Sequence, residues 1–131
     1  MFTSIKTSKN NKELVSKLTT RLGLGSENVI ARIAFSYSLA SERNMDLLQI
    51  ADSQGKEYTV KILFGEHQDI YIAMICVHYG LYKTDKDIGK YVKMHIDDGL
   101  SLIEKELLKN DNINGTDFLI NKIERGLKRL C

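Results

Sequence analysis

The side chains that could do chemistry in this chain are three histidines and a pair of neighbouring aspartates. His67, His78 and His95 fit no spacing that is typical of metal ligands. Asp97 and Asp98 are adjacent on a predicted helix, so their side chains diverge by about 100° and do not form a paired acid and base. We therefore expect that the chain is not an enzyme and that it needs neither a metal nor another cofactor.

The two cysteines suggest no reaction, but their lack of a disulfide pattern indicates the cellular compartment. Cys76 falls within an apolar helical segment, where a free cysteine behaves as a small hydrophobic residue, and Cys131 is the last residue. Two cysteines so far apart are not a disulfide framework. The chain has no apolar run long enough for a membrane span and no signal-peptide segment at its start. We expect a cytoplasmic protein with no membrane partner.

Basic residues are concentrated towards the N-terminus. The formal net charge is only +2, but residues 1–43 contain seven basic and three acidic side chains, a net charge of +4. Residues 44–131 contain 12 basic and 14 acidic side chains, a net charge of −2. An ordinary solvated surface can show such an excess, so the charge becomes informative only together with the fold.

The fold that carries this charge is predicted to be a strand followed by two helices, over residues 5–40. Polar and apolar residues alternate over Thr3–Thr7, which is typical of a short strand. Asn11–Leu22 has helical periodicity, Gly23 is placed for a left-handed C-cap, and Ser26 is placed to cap the next helix. This layout is that of a ribbon-helix-helix unit, whose strand pairs with a second copy. A disordered N-terminal arm is the alternative.

The turn between the two helices contains a glycine pair, Gly23 and Gly25. Glycines before a helix N-terminus can cradle a phosphate through backbone N–H groups. The segment is not a P-loop, because no Lys-Ser/Thr follows it and no apolar strand precedes it. A contact with a DNA phosphate and close packing between subunits are both open interpretations of this turn.

The remaining chain is predicted to be mostly helical, since it contains no proline. A short helix is expected over Met45–Asp52, and alternation permits a strand over Tyr58–Phe64. Glu66–Tyr79 is apolar nearly all round, which predicts the central buried helix. Thr84–Asn110 is the longest helical pattern, and Gly99 within it indicates a close helix crossing or a bend.

A last helix is expected to begin at Thr116. Its inward-facing residues are predicted to be Phe118, Leu119, Ile123, Leu127 and Leu130. Its basic residues form a second positive patch or complement the helix dipole. The fold class is therefore mainly α, in a single domain over residues 1–131. It combines the ribbon-helix-helix-like unit of residues 5–40 with a layer of about three helices over residues 66–130.

The segment TSKNNKELVSKLTTRLGLGSENVIARIAFSYSLA resembles the DndE family of DNA sulfur modification proteins. The later segments DSQGKEY, LFGEH, ICVHYGLY and NINGTDFL resemble further blocks of the same family, so the resemblance covers about Ile5 to Leu127. It implies a small, mainly helical, non-catalytic member of the machinery that replaces a non-bridging phosphate oxygen of DNA by sulfur. Such machinery belongs with restriction-modification systems.

The same resemblance implies the partners. The chemistry would reside in a cysteine desulfurase, a sulfurtransferase related to ATP pyrophosphatases, and an SMC-like ATPase. The family member itself would bind double-stranded DNA, with a preference for nicked duplex, and would assemble as a homo-oligomer, either a dimer or a tetramer.

Backbone recognition is the mechanism that fits both the resemblance and the charge distribution, because phosphate contacts position a protein without reading sequence. The residues expected to contact phosphates are Lys6, Lys9, Lys12, Lys17 and Arg21, with Lys56 and Lys61 as weaker candidates. Gly23 and Gly25 are expected to set the turn geometry on which assembly depends.

Two alternatives stay open. A ribbon-helix-helix repressor would read bases with its strand, but Thr3, Lys6 and Thr7 supply few suitable donors. A scaffold protein would instead dock the sulfurtransferase or ATPase subunit through its helical surface and would touch DNA only within that assembly.

Overall fold

The computed structural model describes residues 2–130 and is mainly helical, which confirms the predicted fold class. The helices and strands in chain order are β1 (Ser4–Lys6), α1 (Lys9–Leu22), α2 (Glu27–Ala40), β2 (Glu57–Thr59), α3 (Val60–Phe64), α4 (Gln68–Tyr79), α5 (Ile88–Lys109) and α6 (Gly115–Leu130). Single 3₁₀ turns cover Leu47–Gln49 and Gly65–His67. Cys131, the second of the two cysteines that are not expected to form a disulfide framework, lies outside the described residues.

Helices α2 and α5 cross at the centre of the core, and glycine makes their close approach possible. A Cβ atom on Gly99 of α5 would lie 1.9 Å from the carbonyl oxygen of Ala34 on α2. Ala31 and Ala34 are both fully buried at this crossing. The prediction that Gly99 marks a close helix crossing is therefore confirmed, because no side chain fits between the two backbones.

The prediction that the apolar segment Glu66–Tyr79 forms the central helix is wrong. Helix α4 begins at Gln68 and lies at the periphery, where Ile72 and Ile75 are its buried residues. The side chain of Val77 is 83% exposed. The small residues of α2 and α5 let those two helices occupy the centre, so only one face of α4 reaches the core.

Strand β1 finds its partner within the chain. It pairs antiparallel with β2 in the register Ser4↔Thr59, Ile5↔Tyr58 and Lys6↔Glu57. Ile5 and Tyr58 face the core together. The expected pairing of this strand with a second copy is thus replaced by an intramolecular pair, which buries the apolar residue of each strand without a dimer.

The predicted strand over Tyr58–Phe64 is correct only at its start. The chain turns into α3 because the Thr59 side chain accepts a hydrogen bond from the backbone N–H of Ile62 and caps the helix. The predicted helix over Met45–Asp52 shortens to the 3₁₀ turn Leu47–Gln49, which the Asp46 side chain caps.

Helix α1 begins at Lys9, two residues earlier than predicted, and is tied to α5 by a carboxylate. Asp97 accepts hydrogen bonds from the Ser8 backbone N–H (3.1 Å) and the Asn11 side-chain amide (2.6 Å). It also pairs with the buried ammonium of Lys93 at 2.8 Å. These contacts fix the N-terminus of α1 on α5.

Helix α6 does not bury the stripe that its sequence predicts. Phe118 is fully buried and Leu119 is half-buried, whereas Ile123, Leu127 and Leu130 are exposed. The helix begins with Gly115 packed against the carbonyl group of Leu22, since an added Cβ there would lie 1.9 Å from that oxygen. This contact places only the first turn of α6 against the core.

A buried histidine connects α2, α4 and α5. Ser38 donates to Asp98 (2.7 Å) and lies 2.8 Å from Nδ1 of His95, while the Tyr79 hydroxyl lies 2.5 Å from Nε2. With its single hydroxyl proton given to Asp98, Ser38 accepts from Nδ1–H, and Nε2 accepts from Tyr79. A neutral imidazole therefore satisfies the whole cluster, and burial lowers the pKa of His95 to about 4.

The helix crossing predicts opposite effects for the same substitution at two helical glycines. Gly99→Ala should lower the free energy of unfolding by about 3 kcal/mol, because the methyl group meets the backbone of α2. Gly126→Ala on α6 should raise it by about 0.5–1 kcal/mol, because an added Cβ there meets no atom within 4 Å. Urea unfolding followed by circular dichroism measures both. Equal effects of the two substitutions would contradict the described crossing.

The His95 cluster predicts acid sensitivity. The unfolded chain binds the imidazole proton near pH 6.5, whereas the folded chain binds it only near pH 4. Stability is therefore complete above about pH 6.5 and is lost as the pH falls towards 4, by about 2 kcal/mol between pH 7 and 5. Urea unfolding at the two pH values measures this loss.

A substitution pair isolates the contribution of His95 to this pH dependence. His95→Asn should remove most of the loss of stability between pH 7 and 5, whereas His67→Asn, at an exposed histidine, should retain it. An unchanged pH dependence in the His95 variant would assign the effect to other groups.

Candidate nucleic-acid interface

The seven basic residues predicted to contact DNA lie on two parts of the structure, the region of the two-stranded sheet and helix α1. Lys6 lies on β1, and Lys56 and Lys61 flank β2. The other four lie on α1, namely Lys9, Lys12, Lys17 and Arg21. At 1.5 Å per residue these four extend over about 18 Å of helix, a length over which one DNA strand presents about five phosphates.

Helix α1 turns these cations outward because it is amphipathic. The apolar residues Leu14, Val15, Leu18 and Leu22 are buried against the core. The four cations lie outside this buried stripe and are all exposed. Burial of the apolar stripe thus fixes the orientation of the basic face.

Lys6, Lys9 and Lys12 at the junction of β1 and α1 are available to a ligand. All three are exposed, and among residues 2–130 none of them forms an ion pair. Glu57, which lies opposite Lys6 in the sheet, instead accepts a hydrogen bond from the Ser4 hydroxyl at 3.0 Å. The junction of β1 and α1 therefore presents three cations within seven residues of chain.

The Lys56 side chain is already engaged by a carboxylate and an aromatic ring. Its ammonium group pairs with Glu27 at the start of α2 and lies 5.3 Å from the centre of the Tyr58 ring. An ammonium group with a carboxylate partner has less charge to offer a phosphate. Lys61, by contrast, is exposed at the start of α3.

The C-terminal part of α1 lies beside acidic groups. Arg21 donates to the backbone carbonyl of Asp111. Lys17 and Arg21 line a shallow groove that also contains Glu104 and Asp111. The structure therefore separates these two cations from the Lys6–Lys12 junction by their electrostatic environment, and Arg21 also points away from Lys12, which lies about half a turn around the axis of α1.

Two backbone N–H groups at the start of α1, those of Ser8 and Lys9, are already occupied by carboxylates. Asp52 accepts from the backbone N–H groups of Lys9 (2.8 Å) and Gln54 (3.1 Å), which hold the pKa of this carboxyl group below its ordinary value. Asp97 accepts from the N–H of Ser8. These two N–H groups are therefore not available to a phosphate, whereas the nearby side chains of Lys6, Lys9 and Lys12 are exposed.

The glycine pair forms an exposed turn. Gly23 ends α1 in the left-handed conformation (φ 62°), and its N–H donates to the Thr19 carbonyl at 3.1 Å. Gly25 has φ 131° and lies against Val29. Side chains other than glycine are strained at both positions, so the pair fixes how α1 turns into α2.

Sequence reasoning did not connect α5 with this surface. Phe2 packs on Gly89 at the start of α5, which brings the exposed Lys90 near the sheet. Lys90 pairs with Asp87 at 3.4 Å. No local signal predicts this proximity, because it depends on a contact between residues far apart in the chain.

Two further properties of residues 2–130 bear on function. No group of three or more His, Cys, Asp or Glu side chains is arranged to hold a metal ion. None of the helices has both the length and the apolar character needed to cross a membrane.

Comparison with known proteins assigns the chain to a family. The family model described as DNA sulphur modification protein DndE matches residues 4–111. The sequence matches none of the curated proteins.

Two solved structures share the fold. DndE from Escherichia coli B7A, involved in DNA phosphorothioation modification, is 20% identical and has a TM-score of 0.64. A DndE G21/24K mutant involved in DNA phosphorothioation is also 20% identical and has a TM-score of 0.65. Each similarity covers 79% of this chain and 98% of the other. Because the family model spans most of the sequence, the chain belongs to the DndE family of DNA sulphur modification proteins.

Proposed function

We propose that this chain is a non-catalytic subunit of the DNA phosphorothioation machinery that binds the backbone of duplex DNA. The observation that carries the proposal is the group of exposed cations without ion-pair partners at the β1–α1 junction, Lys6, Lys9 and Lys12. Lys17, Arg21 and Lys61 extend this surface, and Lys56 contributes least because Glu27 neutralises it.

The mechanism is electrostatic. Each lysine that neutralises a phosphate releases condensed counterions, which strengthens binding at low salt without selecting a sequence. One chain presents few such charges, so a homo-oligomer would place several basic surfaces along one duplex. A nicked duplex bends at lower cost than an intact one, which would let it follow a curved basic surface.

The non-catalytic part of the proposal is supported by the chemistry of the buried groups. Ser38 lies between His95 and Asp98, whereas a hydrolase triad places the histidine between the serine and the acid. Burial raises the pKa of the Cys76 thiol, which disfavours the reactive thiolate. In this proposal, partner subunits such as the sulfurtransferase and the SMC-like ATPase supply the sulfur chemistry.

Strand pairing argues against a sequence-reading repressor. In such proteins a ribbon of two strands from two chains enters the major groove, whereas β1 here pairs with β2 of its own chain.

A scaffold function is supported by a different surface, since Ile70, Val77 and Tyr82 on and after α4 expose large apolar side chains. A surface of this type favours contact with another protein.

Charge reversal at the β1–α1 junction tests DNA binding. The variant Lys6→Glu/Lys9→Glu/Lys12→Glu should bind a 20-base-pair duplex at least about tenfold more weakly at low salt. The slope of log K against log salt should fall in magnitude by about 3, since three phosphate contacts are lost. Fluorescence anisotropy across a salt series, on intact and nicked duplexes, measures both quantities.

The matched control changes the same number of charges elsewhere. Lys83→Glu/Lys105→Glu/Lys109→Glu alters the net charge equally at three exposed lysines away from the junction. This control should retain most of the affinity and slope. Equal weakening in both variants would show a general charge effect and would contradict the assigned surface.

Substitution of the turn glycines tests assembly. Gly23→Leu/Gly25→Leu places side chains on left-handed backbone at a solvent-exposed turn, so it should reduce the mass measured by analytical ultracentrifugation before it abolishes helical circular dichroism. Gly23→Asn is the control, because asparagine tolerates the left-handed conformation. An unchanged mass in the double leucine variant would count against a role of this turn in assembly.

A further inference from the structure

An open groove of about 430 Å³ lies between α2 and α6. Its apolar surface comes from both helices, with Val29, Ile33 and Tyr37 on α2 and Leu119 and Ile123 on α6. Ile33 and Tyr37 pack partly against the core, so the floor of the groove is fixed. This groove is distant in sequence from the β1–α1 junction and serves no part of the proposed DNA contact.

Basic side chains surround the groove, and no aspartate or glutamate lines it. The four cations are Arg32, Lys122, Arg125 and Arg129. Lys122 is neutralised by Glu106, at 2.5 Å. Even with this pair counted as neutral, three positive charges remain around an apolar floor.

Helix α6 is anchored near both ends, and the Lys122–Glu106 ion pair also ties its middle to α5. Phe118 is fully buried at one end, and at the other Arg129 donates to the backbone carbonyl of Ala40 at 2.7 Å. Between and beyond these anchors, apolar residues recur at helical spacing on the exposed side. They are Ile120, Ile123, Leu127 and Leu130. A stripe of this kind remains to be covered by an apolar surface.

The groove has the length of a helix rather than of a compact ligand. It runs along α2 from Val29 to Ser41 and along α6 from Phe118 to Arg129. At 1.5 Å per residue both walls extend over about 17 Å, which corresponds to about three turns of a bound helix.

We propose that the groove between α2 and α6 binds an acidic amphipathic helix of a partner protein. The apolar face of that helix packs on the groove floor, to which Ile123 of the exposed stripe contributes, and its carboxylates pair with the surrounding arginines. Helix α6 follows the segment matched by the family model, residues 4–111, so one wall of the groove lies within that segment and the other lies beyond it.

Charge favours an acidic helix in the groove over a second copy of this chain and over duplex DNA. Helix α6 carries four basic and two acidic residues, so the α6 helices of two copies would repel each other across the groove. Duplex DNA would neutralise the arginines but would leave the apolar floor without a partner. The proposal does not depend on DNA binding at the β1–α1 junction.

The test uses the full chain and a designed peptide. The probe is a fluorescein-labelled, 16-residue helix-forming peptide with leucines at i, i+4, i+7 and i+11 and glutamates at the flanking positions. Its control carries lysine in place of each glutamate. Fluorescence anisotropy should give a dissociation constant on the order of 10 μM for the acidic peptide and at least about tenfold weaker binding for the basic peptide.

Two variants assign the binding to the groove. Arg125→Glu/Arg129→Glu should weaken the acidic peptide about tenfold and should strengthen the basic one, while Lys105→Glu/Lys109→Glu should change either by less than about twofold. Gly126→Trp should block the groove and weaken the acidic peptide similarly, because Gly126 lines the groove with free space beside it. Helical circular dichroism verifies that each variant is folded.

Three results would overturn the proposal. The acidic peptide does not bind, or it binds all variants equally. Duplex DNA, rather than the peptide, loses affinity in Arg125→Glu/Arg129→Glu, which makes the groove a nucleic-acid surface. The mass of the unsubstituted chain increases with its concentration, and Gly126→Trp abolishes this increase, which would show that the groove binds a second copy of the chain. None of these results alters the test of Lys6, Lys9 and Lys12, so the two proposals fail separately.

Discussion

The close contact between α2 and α5 is the constraint on which the rest of the structure depends. Backbone meets backbone at Ala34 and Gly99, so the two helices cross at a fixed point with no side chain between them. One turn away, the fully buried Ser38 and His95 join the same helices through hydrogen bonds. The crossing therefore determines which faces of both helices remain for the other elements.

Contacts with this core determine where the basic surface lies. Asp97 on α5 holds the start of α1, and β1 lies beside the N-terminal part of α5. The carboxylates of Asp52 and Asp97 occupy two N–H groups at the helix end, and the lysine side chains beside them are exposed. Such side chains adapt to phosphates at varied positions, which suits binding to the DNA backbone without sequence selection.

Local features of the fold were predictable from the sequence, and features that depend on distant contacts were not. Periodicity and capping gave β1, α1 and α2, and the glycine within α5 indicated the helix crossing. The pairing of β1 with β2 joins residues more than 50 positions apart, and the neutralisation of Lys56 by Glu27 depends on that arrangement. The peripheral position of α4 was not predictable because an apolar helix fits a buried site and an interface equally well.

The central claim is that duplex DNA lies on the β1–α1 junction, and lysine acetylation footprinting tests it most directly. The full chain is acetylated briefly with and without a saturating duplex, and the modification of each lysine is quantified by mass spectrometry. The account predicts protection of Lys6, Lys9 and Lys12, with unchanged reactivity at the exposed Lys83 and Lys105. Unchanged reactivity at the three junction lysines, with protection elsewhere, would contradict it.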